Sequence, residues 1–591
     1  MSDKSVVIIG AGPAGLTAAY EAMKQGMRPI VFEGADIVGG IARTESYKGY
    51  SFDVGGHRFF TKIEKINDLW QEVLGDEFIK VRRMSRIYYN GQFYHYPLRL
   101  FNALSNLGIL ESALIVLSYF KSQFWPYHEE ETFEQWVSNR FGKRLYNTFF
   151  KTYTEKVWGI PCNQIRADWA AQRIMGLSLI TAVYNALFGV KKSKTLIDEF
   201  DYPSEGPGMM WRRFQEAVDN GGGQVLLNSK VVRLKHENGR ITDALYVRNG
   251  KTEEISVEHL VSSAPITTLT TMLDPKAPEE VLEAVRGLSY RAFIIVVLII
   301  DKKDLFPDQW IYIHSPDAKV GRIQNFGNWS AAMVPDPEKT SVGMEYFCDE
   351  GDETWVLSDA ELTEIASREL AGLGLADTDD ISDSCVLRQP KAYPVYDQDY
   401  SRHLSVIRDF LGSFENLHTI GRNGMHRYNN QDHSMLTGIM AAQNIATGAD
   451  HDLWTVNEEE EYLEQDAGKD ARLRELLPEK FIRSTFARMD KLGFATAVGT
   501  VSGLLFFLAT LWLAIKGTPS GSPDLGFLAE YFVGYTVSVK GAFISFAYTF
   551  FWGFLFGWLF AYLRNLFFAI YIYEVKKKAE LLSLRDFLDH F

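Results

Sequence analysis

The first thirty residues constrain this chain more than any other part of it. Val6-Val7-Ile8-Ile9 reads as a buried strand, Gly10-Ala11-Gly12-Pro13-Ala14-Gly15 as a glycine-rich turn, 16–24 as a helix, and Pro29-Ile30-Val31-Phe32 as a second strand ending at Glu33. In that order the turn is a phosphate cradle. Gly10 permits the tight turn, Gly12 lets the backbone approach a pyrophosphate, and Gly15 lets helix and sheet pack closely. Ala14 is counted with these contacts, and the phosphates meet the positive end of the helix dipole. Glu33 is placed to accept hydrogen bonds from a ribose.

At 591 residues the chain exceeds what one hydrophobic core serves, so several structural units are expected. The pattern predicts a nucleotide-binding part over 1–64 and a mainly helical, aromatic-rich substrate part over 65–206, with long apolar stretches at 103–120 and 174–190. The first part then resumes over 207–265, with strands at 224–227, 231–234 and 260–263. Strand-rich substrate sequence follows over 266–410, with a helix near 360–374, and the nucleotide-binding part closes over 411–450. An acidic, then basic linker over 451–491 separates this from the tail, 492–591; its acidic run reads as a solvated helix face or linker.

A net charge of −14 and a pI near 5.5, with no local basic face, argue against a nucleic-acid partner. Cys162, Cys348 and Cys385 are too far apart for a zinc site and odd in number for a disulfide framework, so no metal is expected. The N-terminus enters a strand without the succession of a signal peptide, which puts the globular part in the cytoplasm as an expectation.

The tail is different in kind. The stretches 492–515 and 541–563 hold no charged residue, and at about 1.5 Å per residue each exceeds the roughly 30 Å hydrocarbon core of a bilayer. Basic residues cluster before the first and after the second, whereas the intervening loop holds only Lys516 and Lys540. The positive-inside tendency then predicts a two-span membrane protein with globular part and C-terminus both cytoplasmic. Two amphipathic helices lying flat on the bilayer are the other reading.

Past Glu33, Gly39-Gly40-Ile41-Ala42-Arg43-Thr44 resembles the second glycine signature of the amine oxidase and phytoene desaturase superfamily, and Asp53-Val54-Gly55-Gly56-His57 resembles its loop beside the isoalloxazine ring. The resemblance implies FAD, with Gly40 and Arg43 near its phosphates and Gly56 and His57 against the flavin. Val232, in the strand at 231–234, is counted with these contacts. The expected fold is therefore α/β: a Rossmann-type FAD-binding domain with a mixed helical and β-sheet substrate domain, plus a C-terminal transmembrane helical hairpin.

Within that superfamily, further motifs resemble UDP-galactopyranose mutases. These are Gly55-Gly56-His57; the segment 149–161 with Tyr153, Lys156-Val157-Trp158 and Pro161; Trp169 and Arg173; Arg322 and Asn325; Ala392-Tyr393-Pro394; and the run from Gly421-Arg422 through Tyr428 to Asn430-Gln431-Asp432-His433-Ser434. The resemblance implies FAD contacts at Gly421, Arg422, Asn430, Asp432, His433 and Ser434. It implies substrate contacts at Tyr153, Trp158, Arg173, Arg322, Asn325, Tyr393 and Tyr428, and catalytic roles for His57, Arg322 and Arg422. The chain departs from the eukaryotic pattern in being shorter between Tyr428 and Asn430.

Independently of any family, Arg173, Arg322 and Arg422 supply guanidinium forks suited to phosphate if the fold brings them together, with tyrosines as neutral donors. Ordinary ion pairs with the many carboxylates are the competing reading. Trp158 and Trp169 read first as core packing. The activity implied is a membrane-anchored pyranose/furanose mutase for a nucleotide- or lipid-linked, cell-envelope sugar, using reduced flavin N5 as nucleophile and needing a separate flavin reductant. The alternative is an FAD-dependent oxidoreductase taking hydride from a lipophilic membrane substrate, with 103–120 and 174–190 forming its entrance.

Overall fold

The computed structural model describes residues 4–96, 100–167, 199–457, 490–517 and 525–588; the apolar stretch 174–190, Trp169, Arg173 and the acidic run after 457 lie outside them. It divides into two compact units, Met1–Asp466 and Ala467–Phe591.

In the first unit, five parallel strands run in the order Leu417–Thr419, His259–Ser262, Ser5–Ile9, Arg28–Phe32, Gln224–Leu226. Ser5–Ile9 is central, which explains its unbroken apolar run. Val6 and Ile8 pack with Leu16 and Ala19 on one face, while Val7 and Ile9 pack with Phe32 and Leu260 on the other. The helix Pro13–Lys24 crosses between the first two strands and packs on Gln431–Thr447, so the last segment of the unit closes on the first.

A second, seven-stranded sheet runs Ile381–Pro394, Tyr290–Ile300, Thr340–Cys348, Arg322–Asn325, Trp310–Ile313, Ser85–Tyr89, Gln92–His95. Alternation decides its two faces. In Tyr290–Ile300, Phe293, Ile295, Val297 and Ile299 face the aromatic core of the substrate part, while Ile294, Val296 and Leu298 face the cluster under the helix Asp359–Gly372.

The start of the 65–206 segment corrects the helical expectation. Phe78–Arg82, Ser85–Tyr89 and Gln92–His95 are strands, and the last two join the large sheet. Their hairpin turns on Asn90-Gly91, both at positive φ (47° and 76°), the pairing a two-residue hairpin loop demands. Helix dominates only beyond this. The stretch 103–120 is broken at Gly108 into Leu100–Leu107 and Ile109–Phe124; Phe133–Phe141 and Lys143–Tyr146 follow, and a π-turn at Asn147–Lys151 leads into Thr152–Trp158.

The second unit holds two apolar helices long enough to cross a bilayer, Lys491–Lys516 and Val539–Leu566. They lie antiparallel and close along small residues. A Cβ on Gly499 would come within 2.8 Å of Phe550 O, and one on Gly553 within 3.1 Å of Gly499 Cα. Thr510 hydroxyl meets Tyr535 Oη and Ser545 Oγ at 3.0 and 3.3 Å, so this buried polar cluster is satisfied inside the pair. Leu505, Leu508, Phe551 and Phe556 point outward and are exposed, so the pair presents apolar side chains away from its own interface.

Candidate active site

The C-terminal ends of the parallel strands open onto a cavity of about 420 Å³. Gly10, Gly12, Ala14, Glu33, Gly40, Arg43, His57, Gly421, Arg422, Asn430 and Ser434 line it, the position at which open α/β sheets bind their ligands. The glycines divide the work. A Cβ on Gly15 would sit 1.9 Å from Gly10 O, so Gly15 allows helix and turn to touch. A Cβ on Gly12 would meet protein only at 3.7 Å, at Gly40 Cα, so the space beside it is an open cradle. Glu33 Oε2 accepts the Ala11 N–H at 2.8 Å and Oε1 accepts that of Ala35 at 2.9 Å, fixing the carboxylate at the rim with lone pairs to spare. These residues fit a dinucleotide.

Other expected contacts fall behind this surface. Val232 does not line the cavity: a bulge between Val231 and Arg233 turns its side chain out, 40% exposed, and the buried Val231 lines it instead. Asp432 Oδ2 accepts Thr61 Oγ1 at 2.8 Å, and His433 Nδ1 accepts the Asn430 N–H at 3.4 Å. Both therefore shape the helix start that presents Asn430 and Ser434. Arg43 reaches the cavity but holds its own loop, donating to Glu45 Oε1 at 2.5 Å and to Gly40 O and Gln389 Oε1 at 2.8 Å. Gly56 packs against Gln324 and Trp329.

His57 Nε2 donates to Ile41 O and Val54 O at 2.7 and 3.0 Å. Burial, then the charge of Arg422, and more weakly that of Arg322, push its pKa down to about 4, so the ring is neutral at pH 7. Gly55 separates it from Arg322: a Cβ there would stand 3.7 Å from Arg322 Nη2 and 3.8 Å from His57 Nε2.

On the inner face of the large sheet, register sets Tyr312 beside Arg322 and Arg322 beside Glu345. Arg322 Nε and Nη2 donate to Glu345 Oε2 at 2.9 and 2.6 Å, and Gln324 Nε2 donates to Oε1 of the same, fully buried carboxylate. Arg322 is thus an ion-pair partner before any ligand arrives. Asn325 lies on the opposite face by alternation, where its Nδ2 donates to Phe306 O at 3.3 Å, which removes it from the substrate side.

Above this row Tyr153 stacks on His314, with ring centroids 4.9 Å apart, and meets Tyr312 edge-on at 5.3 Å. Tyr393 and Tyr428 stack at 5.6 Å, and the Arg422 guanidinium lies over both rings, 5.6 and 4.7 Å from their centroids. Arg422 donates to Asn429 O and Ala392 O and has no carboxylate partner among the described residues. Burial raises the pKa of Tyr153 and Tyr393, so both stay neutral donors. Trp158 is buried 6.0 Å from Tyr396 and from Tyr428, in the aromatic cluster that adjoins the cavity through Arg422 and is the candidate substrate chamber.

Sequence reasoning missed Glu345, Gln324, Tyr312 and His314. A signal existed for the first: Glu345 is the one charged residue of the buried strand Thr340–Cys348, and a carboxylate in such a strand needs a buried cation.

The model of the family described as flavin containing amine oxidoreductase matches residues 13–446. A probable UDP-galactopyranose mutase of Klebsiella pneumoniae is 29% identical over 180 residues, 28% of this chain and 44% of that protein, so the match spans less than half of that relative's length. Among solved structures, reduced UDP-galactopyranose mutase superposes with a TM-score of 0.69 at 21% identity, over 79% of this chain and 100% of that one. A putative protoporphyrinogen oxidase from Exiguobacterium sp. 255-15 superposes with a TM-score of 0.61 at 15% identity, over 76% and 100%. At those identities the likeness is one of fold.

Proposed function

Since the chain belongs to the flavin containing amine oxidoreductase family, we propose that it is a membrane-anchored, FAD-dependent oxidoreductase that removes hydride from a lipophilic substrate. Bound FAD would supply the two-electron acceptor, held by the Gly10–Gly15 turn, Glu33, Gly40, Gly421 and the helix start at Asn430. The observation that carries this reading is the Arg322–Glu345 pair. A substrate diphosphate brings about two negative charges, and of the two described arginines at the site only Arg422 is uncompensated, because Arg322 is neutralised by a fully buried carboxylate. The remaining walls, Trp158, Tyr312, Tyr393 and Tyr428, suit an apolar or aromatic body and exclude water from it. Arg422 stabilises negative charge at the cavity, and His57, neutral, orients the Gly55-Gly56 loop through its two carbonyl bonds.

A second reading keeps the pyranose/furanose mutase. It is favoured by the free charge of Arg422 over the stacked Tyr393–Tyr428 pair and by the likeness to a reduced UDP-galactopyranose mutase. Redox stoichiometry separates the two. Oxidised enzyme mixed anaerobically with amines, porphyrinogens or polyenes should lose its flavin band, one flavin being reduced for each two-electron oxidation of the substrate. Many turnovers of a nucleotide- or polyprenyl-phosphate sugar from a single dithionite reduction, with no net electron transfer, would establish the mutase instead.

A further inference from the structure

The helix Ile109–Phe124 is amphipathic the wrong way round for a soluble protein. Its buried side chains, Ile115 and Tyr119, sit on the face packed against Phe133–Phe141 and Lys143–Tyr146. The outer face carries Leu110, Leu117, Phe120 and Phe124, 76%, 63%, 51% and 73% exposed, at a spacing that makes one stripe, and Trp125 extends it at 76%. This is a contiguous apolar ridge of the kind soluble monomers avoid. The acid on the helix, Glu111, is neutralised by two bonds of 2.6 Å from Arg144, and the cation, Lys121, is exposed at its C-terminal end beside Trp125. Aromatic and basic residues at one end of an apolar stripe are the composition of a helix lying in a bilayer interface.

We propose that this ridge docks the flavin-binding unit onto a lipid bilayer, with Leu117, Phe120 and Phe124 immersed in the acyl boundary. The inference rests on reading Lys491–Lys516 and Val539–Leu566 as membrane spans. With that tether the first unit is held permanently near a bilayer, so even a modest apolar stripe is occupied, by effective concentration rather than affinity. A single helix with its backbone bonds satisfied internally offers a protein partner no groove and no unpaired backbone donor along the Leu110–Phe124 stripe, whereas lipid requires neither. The ridge helix packs on Lys143–Tyr146, whose continuation Thr152–Trp158 carries Tyr153 and Trp158. Docking there sets the bilayer one helix layer from the helix that carries Tyr153 and Trp158.

The full chain in nanodiscs of zwitterionic lipid, carrying one nitroxide at a time, tests this. Labels go at Leu117→Cys, Phe120→Cys and Phe124→Cys, at Leu505→Cys on the first span, and at Val356→Cys, an exposed apolar position elsewhere on the unit. Cys385, the half-buried native thiol, is replaced by alanine, and bound-flavin absorbance shows which variants are folded. Positions 117, 120 and 124 should match 505, with oxygen collisions exceeding those of a water-soluble nickel chelate, and 356 should show the reverse order. If 505 is in lipid but all folded ridge labels behave like 356, docking is refuted and the anchor stands. If 505 is also chelate-accessible, the spans and the docking fall together. Dipolar broadening between ridge labels of two chains would assign the face to a second copy and overturn the proposal.

Discussion

Replacing Glu345 by glutamine tests the charge balance of the chamber directly. The wild-type carboxylate is fully buried and accepts Arg322 Nε at 2.9 Å, Nη2 at 2.6 Å and the Gln324 amide. In Glu345→Gln the volume is kept, but the guanidinium of Arg322, 16% exposed, loses its counter-charge, and the new amide must turn an N–H toward one of two donors. Breaking a buried pair from one side costs about 3–5 kcal/mol, while replacing both members by apolar side chains is often close to neutral. Urea unfolding monitored by tryptophan fluorescence, at fixed FAD, should show that cost in Glu345→Gln and in Arg322→Leu, with most of it recovered in the Arg322→Leu/Glu345→Leu double variant. A second readout is ligand affinity. The released fork should bind a diphosphate, so UDP binding should tighten by about one to two orders of magnitude, the equivalent of a charge-assisted contact of about 1.5–3 kcal/mol. Should Glu345→Gln fall within about 0.5 kcal/mol of wild type, and both bind UDP equally tightly, Arg322 is not committed to Glu345 and the argument against a diphosphate substrate fails.

Gly12→Val should fold yet lose FAD from the purified, otherwise yellow protein, because the nearest protein atom to a Cβ there stands at 3.7 Å; Gly15→Ala, whose Cβ would lie 1.9 Å from Gly10 O, should instead fail to fold. Full flavin occupancy in Gly12→Val would show the cradle is misread. Burial pushes the pKa values of His57, His314, His418 and His426 down to about 4, 3, 4 and 4, so their stabilisation is complete above the unfolded value of 6.5 and is lost as pH falls from there toward 4. Asp53, raised by burial to about 7, works oppositely, its stabilisation being lost as pH rises toward 7. Four histidines against one aspartate leave a net loss on the order of 5 kcal/mol between pH 7 and 5, and a urea midpoint that rises on acidification would contradict the assignment. Truncation near residue 485 should turn a detergent-requiring protein into a soluble one that keeps its flavin. Terminal tags on the full chain should both be open to protease from the cytoplasmic side; opposite accessibilities would exclude a hairpin.

The first βαβ unit was legible because each signal in it is local: a strand buried on both faces, a turn only glycines permit, and a helix that begins at Pro13. The two apolar helices were equally so, since length and absence of charge suffice; they extend the expected 492–515 and 541–563 by one to three residues at each end. Between them the reading failed where aromatics dominate. Ser85–Tyr89 and Gln92–His95 fall in the stretch expected to be helical although Asn90-Gly91 marks a two-residue hairpin, because Ile, Tyr and Phe there suit a strand face and a helix stripe alike.

The motif residues do not all reach the cavity side of the fold, and the reason is register. Arg322 and Asn325 lie in one strand of the large sheet, yet alternation sends Arg322 and Gln324 to the chamber and Asn325 to the opposite face, and a bulge does the same to Val232 beside Val231. The two arginines look equally available in sequence. What separates them is a carboxylate 23 positions on from Arg322 that a strand crossing brings alongside, against two backbone carbonyls beside Arg422. A motif supplies guanidinium groups, and only the long-range pairing of strands determines which of them keeps a charge to offer a ligand. Residues 149–161 and 421–434 carry the resemblance to the mutases but do not determine the charge left at the site. Glu345, outside every recognised motif, is the residue on which the proposed chemistry turns.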